Sequence, residues 1–134
     1  MREEMLLRKI GIIYSEYTSG ENAPRQGKYS DKESIVEIFE EYMSALDGLK
    51  VGKSILVAYW GDRADRTVLK TIPPFMTEEL GVFATRSPNR PNPIALCICE
   101  IISIDKNKLR VKGLDAFNES PLLDIKIHNV RIDY

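Results

Sequence analysis

A chain of 134 residues, 43% hydrophobic and 29% charged, is sized and composed for one folded domain with one core, spanning residues 1–134. The formal net charge of −1 excludes a globally cationic polyanion binder. Any such contact has to come from local cations: Lys50, Lys53, Arg63, Arg66 and Lys70 in the middle, and Arg25, Lys28, Arg86 and Arg90 in loops. No apolar run nears the ~20 residues that cross a bilayer. Met1-Arg2-Glu3-Glu4 opens the chain without the apolar stretch of a secretory signal, so a cytoplasmic location is expected.

Residues 9–17, with Ile10, Ile12, Ile13, Tyr14 and Tyr17, read as a first strand. Residues 18–29 hold Gly20, Asn22, Pro24 and Gly27 and read as a loop. Residues 30–46 read as an amphipathic helix, because Ile35, Ile38, Phe39, Tyr42, Met43 and Leu46 recur at three- and four-residue steps. Ser30 and Glu33 have the spacing of a capping box, Asp31 and Glu33 suit the positive helix end, and Gly48 is a stop. The rest reads as strands: 54–60 between two glycines, a short 67–69, then 81–85, 94–104, a return at 109–114 after a polar turn, and 122–127. In the last of these, Leu123, Ile125 and Ile127 alternate with Asp124 and Lys126. Many short strands and a single helix predict a mainly β fold, a small closed or nearly closed β-barrel with one amphipathic α-helix. The βαβ alternation and glycine fingerprint of a Rossmann fold are absent.

Cys97 and Cys99 fall on one face of the same strand and read as small buried thiols. His128 is the single histidine, so no metal site is expected. The segment running Gly81-Val82-Phe83-Ala84-Thr85-Arg86-Ser87-Pro88-Asn89-Arg90-Pro91-Asn92-Pro93-Ile94 is the unusual one. Three prolines stiffen it, and two arginines offer planar forks suited to carboxylate or phosphate. On physical grounds it is either a rigid site for a small polar ligand or a stiff connection whose arginines cap backbone carbonyls.

This segment resembles the signature G-V-F-A-T-R-S-P-x-R-P-N-P-I-G-L of the TrmO-type (TsaA-like) tRNA methyltransferases, departing from it at Ala95. Residues 113–126 are similar to the family's G-L-D-x-x-D-G-T-P-V-L-D-I-K, and Pro24-Arg25-Gln26 to its P-R-Q. The resemblance implies a β-barrel homodimer that uses S-adenosylmethionine, with each cofactor site near the subunit interface. It implies N6-methylation of the threonylcarbamoyl-adenosine next to the tRNA anticodon, with the anticodon loop as partner. By carry-over, Pro24, Arg25, Gln26, Arg86, Leu96, Asn118, Glu119, Ser120 and Pro121 line the cofactor site, and Asp62 and Arg63 join them. Arg90, Asn92 and Arg66 are assigned to the acceptor. Where relatives carry Trp-Phe-His, this chain reads Trp60-Gly61-Asp62, and Asn118-Glu119-Ser120-Pro121 stands for D-G-T-P. Longer bacterial members also carry a C-terminal extension, whereas this sequence stops at Tyr134.

Methyl transfer from a sulfonium needs no metal, so positioning is the main task. A base helps only if the nucleophile must lose a proton. Asp62 and Asp115, beside predicted strand ends, are the catalytic candidates, against a reading of Asp115 as a turn former and Asp62 as an arginine partner. Tyr59, Trp60, Phe75 and Phe117 are either base-stacking or core residues. The changed block at Trp60–Arg63 motivates two other readings: the same chemistry on a small-molecule acceptor, and a SAM-binding module without catalysis.

Overall fold

The computed structural model describes residues 2–18 and 32–133. Eight strands occur among them: β1 (Gly11–Tyr14), β2 (Glu33–Ile38), β3 (Ser54–Trp60), β4 (Lys70–Thr71), β5 (Leu80–Gly81), β6 (Ile94–Asp105), β7 (Lys108–Lys112) and β8 (Ser120–Ile127). Six of them close an antiparallel barrel in the order β1-β2-β7-β6-β3-β8. β4 and β5 form a separate two-stranded ribbon. No described helix is long and apolar enough to cross a membrane.

Alternation builds the core. β3 buries Ile55, Val57 and Tyr59, and β7 buries Leu109 and Val111 between Lys108, Arg110 and Lys112. Ile13, Val36, Ile38, Ile101, Leu114 and Leu122 complete the interior. Register shifts opposite Ala58/Tyr59 on β8 and at Ile101/Ser103 on β6 mark irregularities of the kind that bend a sheet towards closure. Gly11 allows β1 to meet β2, since a Cβ there would lie 2.0 Å from the Glu37 carbonyl oxygen.

The helix expected at residues 30–46 is corrected from residue 32 on; Ser30 and Asp31, expected at its start, lie outside the described residues. β2 takes Glu33–Ile38, and a 3₁₀ helix follows at Glu40–Leu46. Ile35, Val36 and Ile38 are β-branched, which stiffens χ1 and favours strand. With Ser34, Val36 and Ile38 buried, the segment follows a two-residue rather than a 3.6-residue period. Tyr42, Leu46 and Leu49 then pack against the core. The α-helical turns are confined to Val130–Asp133 among the described residues. Two shorter expectations also shift. The strand expected at 67–69 lies at Lys70–Thr71, and 81–85 becomes a 3₁₀ turn over Val82–Ala84.

Antiparallel closure fixes where the loops emerge. β1, β3 and β7 end, and β2, β6 and β8 begin, at one rim. The two sequence blocks within the described residues, 81–94 and 113–126, therefore have their loops there. Pro24, Arg25 and Gln26 lie outside the described residues.

Candidate functional site

Residues 113–121 return from β7 to β8 across this rim and are tied to the segment following β1. The Asn118 amide donates to the Tyr17 carbonyl at 2.7 Å, and the Glu119 amide to that of Ile13 at 2.7 Å. The Ser15 amide donates to Asn118 Oδ1 at 3.1 Å, and its hydroxyl to the Ala116 carbonyl at 2.7 Å. The Ser120 hydroxyl donates to the Phe117 carbonyl at 2.6 Å. Glu119 holds a φ of 69°, a left-handed backbone that costs a non-glycine residue energy. Pro121 is half-buried in β8.

Asp115 faces inward. Its Oδ1 accepts the Tyr59 hydroxyl at 2.6 Å and the Cys97 thiol at 3.0 Å. Burial, then the Asp115 charge, push the Tyr59 phenol and the Cys97 thiol far above their ordinary values. The same two causes push Cys99 up to about 12. Both cysteines are free and buried. His128 is hydrogen-bonded through Nδ1 to Ser54 Oγ at 3.0 Å.

The arginines divide by what they hold. Arg63 donates to the Thr18 carbonyl at 2.6 Å, with its guanidinium 4.6 Å from the Phe117 ring centre. Arg66 covers Trp60 at 5.1 Å and donates to the Pro91 carbonyl at 2.6 Å and to Asn92 Oδ1 at 3.1 Å. Arg90 donates to the carbonyls of Val82 at 2.8 Å, Ser87 at 3.0 Å and Thr85 at 3.2 Å. Arg86 is exposed and makes no hydrogen bond or ion pair among the described residues. The exposed carboxylate of Asp62, two residues past β3, is likewise uncommitted among them.

The expected site residues thus fall into distinct groups. Arg63 joins Phe117 and the block containing Asn118, Glu119, Ser120 and Pro121. Arg66, Asn92 and Trp60 meet beside the outer face of β6, where Ile94 is 43%, Leu96 50% and Ile98 55% exposed. Among the aromatics, Tyr59 is core, Trp60 and Phe117 lie half-buried under arginines, and Phe75 is 91% exposed. Sequence reading missed the inward engagement of Asp115. Its signal was faint: Tyr59 and Cys97 both fall at inward positions of predicted strands.

Of the two physical readings of the proline-rich segment, carbonyl capping is met by Arg90. Arg66 and Arg90 cap carbonyls, while Arg86 extends from the stiff loop they secure. No group of three His, Cys, Asp or Glu disposed to hold a metal occurs among the described residues.

Residues 12–134 match the family model described as tRNA-methyltransferase O N-terminal domain. An S-adenosyl-L-methionine-binding protein of Archaeoglobus fulgidus is 46% identical over 129 residues, covering 96% of this chain and 93% of the relative. A probable S-adenosyl-L-methionine-binding protein of Methanothermobacter thermautotrophicus is 42% identical over 130 residues, covering 97% of this chain and 94% of that one. The crystal structure of TrmO from Pseudomonas aeruginosa superposes with a TM-score of 0.82 at 25% identity; it covers all of this chain, which spans 59% of that longer protein. The barrel, the signature loop and these matches together place the chain in the tRNA-methyltransferase O N-terminal domain family.

Proposed function

We propose that this chain binds S-adenosylmethionine at the rim and transfers its methyl group to N6 of the threonylcarbamoyl-adenosine beside the tRNA anticodon. The observation that carries the reading is Arg86, an uncommitted guanidinium on a loop whose neighbouring arginines are engaged. The donor set fits: a charged fork suits the methionyl carboxylate, and Asn118–Pro121 and the outward Leu96 offer polar and apolar edges. The cofactor supplies a methyl on a good leaving group, so the residues supply orientation. Arg86 holds the carboxylate end. Asp62 receives the proton that N6 loses as the nitrogen takes the methyl. Asp115, already engaged by Tyr59 and Cys97, anchors the segment that follows it instead of serving as the base.

An anticodon loop fits this rim because its bases can be splayed from the strand. Arg66 and Asn92 stand on the acceptor side. The chain works as a homodimer in the cytoplasm. Leu69, Ile72, Phe75 and Phe83, exposed by 57–91% on the excursion between β3 and β6, form the apolar surface a second copy covers.

Asp62, at the position where relatives carry histidine, favours the alternative of a small-molecule acceptor. The test is incubation with methyl-labelled SAM and total tRNA, followed by nucleoside analysis. Label in N6-methylated threonylcarbamoyl-adenosine is expected. Label in a small molecule alone would move the acceptor. Binding without turnover would leave a SAM-binding module.

A further inference from the structure

We infer that Arg90 is a positioning residue: its guanidinium closes the turn from Val82 to Arg90 from within and so presents Arg86 to the ligand. The inference rests on the proposed role of Arg86 and adds the device that prepares it. The Val82 carbonyl accepts from the Thr85 amide at 3.0 Å, the Thr85 hydroxyl at 2.9 Å and Arg90 Nη2 at 2.8 Å. Arg90 Nη1 reaches the Thr85 and Ser87 carbonyls at 3.2 and 3.0 Å. The Ser87 amide donates to the Thr85 hydroxyl at 3.2 Å, and the Asn89 amide to that of Ser87 at 3.3 Å. Arg86 therefore sits between two residues whose carbonyls are gripped by one planar fork. Three prolines cannot do this alone, because each fixes φ at its own position while the carbonyls of Val82, Thr85 and Ser87 still have to converge. A guanidinium suits the task, since its donors are coplanar and spread. An ammonium lacks that fixed fork. The turn is also braced from outside, where the Asp65 amide donates to Asn89 Oδ1 at 2.9 Å.

A turn folded before binding loses little ordering entropy on binding. Removing Arg90 should therefore loosen the turn in the free protein and weaken the ligand through Arg86. The test is a double-mutant cycle on SAM affinity by calorimetry with Arg86→Ala, Arg90→Ala and the double variant. Amide hydrogen exchange of residues 85–89 is followed in the ligand-free proteins. Arg90→Ala should raise the dissociation constant about tenfold or more and speed that exchange, whereas Arg86→Ala leaves the exchange unchanged. In the Arg86→Ala background, Arg90→Ala should add less than about threefold, the non-additivity expected of coupled residues. Arg90→Lys should recover only part of the affinity, and it replaces Arg90→Ala if that variant does not fold. Additive losses, or weakened binding with unchanged exchange, would show that Arg90 touches the ligand itself and overturn the inference. Unchanged affinity in Arg90→Ala would overturn it too. If the wild-type chain binds no SAM, the proposed function fails, while the exchange comparison still decides whether Arg90 orders the turn.

Discussion

Asp115, Tyr59 and Cys97 make an asymmetric test of what the rim is anchored to. Tyr59 and Cys97 are 9% and 8% exposed, whereas Asp115 is half-buried. Tyr59→Phe leaves a carboxylate that water can reach. The loss is one hydrogen bond to a charged group, at the lower end of its range, about 1.5 kcal/mol. Asp115→Ala instead strands a phenol and a thiol in the dry core. Adding ~1–3 kcal/mol for the unsatisfied phenol brings the expected cost to about 2.5–4.5 kcal/mol. Unfolding entropy of ~2.1 cal/mol/K per residue over 134 residues is about 0.28 kcal/mol/K, so each kcal/mol moves Tm by about 3.6 °C. Thermal melts followed by circular dichroism should therefore fall by about 5 °C for Tyr59→Phe and about 9–16 °C for Asp115→Ala. Equal or reversed shifts would refute the asymmetry. An Asp115→Ala variant as stable as wild type but unable to transfer methyl would show that Asp115 acts in the chemistry.

Gly11→Ala should cost about 3 kcal/mol in urea denaturation, because the added Cβ meets a backbone carbonyl that cannot move aside; wild-type stability would contradict the close approach of β1 and β2. The Cys99 thiol, raised by folding from 9.0 to about 12, contributes stability that is fully present below about pH 9 and is lost as pH rises towards 12. Urea midpoints should therefore fall more steeply from pH 9 to 11 in wild type than in Cys99→Ala, and parallel profiles would count against a buried, neutral thiol. Phe83→Ser, at a side chain 84% exposed, should shift sedimentation velocity from dimer towards monomer at tens of micromolar; a dimer unchanged by it would place the interface elsewhere.

The barrel was legible because its signals are local. The strand expected at 54–60 is β3, and the hairpin expected around residues 105–108 turns at Lys106 and Asn107. An apolar run between glycines sufficed for the first, and apolar runs on either side of a polar turn for the second. Residues 30–46 misled because Ile35, Ile38, Phe39 and Tyr42 satisfy a helical stripe while Ser34, Val36 and Ile38 satisfy a strand. Only pairing with β1 and β7 decides between them. In the site, the prolines of the loop were readable, and so was the capping of carbonyls by an arginine within it. Which carbonyls are capped was not, because Arg90 finds its own up to eight residues back and Arg66 finds its own 25 residues on. The contacts of Asp115 were hidden for a similar reason: one of its two donors lies 56 residues away on β3.

The proposed role of Arg86 in holding SAM rests on its guanidinium being uncommitted among the described residues. Calorimetric titration of SAM into the wild-type protein and Arg86→Ala tests it most directly. Wild type should saturate at one SAM per chain. The variant should bind more weakly by about 1.5–3 kcal/mol, roughly ten- to a hundredfold, with unchanged circular dichroism. Equal affinity in the two proteins, or no heat from wild type at high-micromolar SAM, would contradict it.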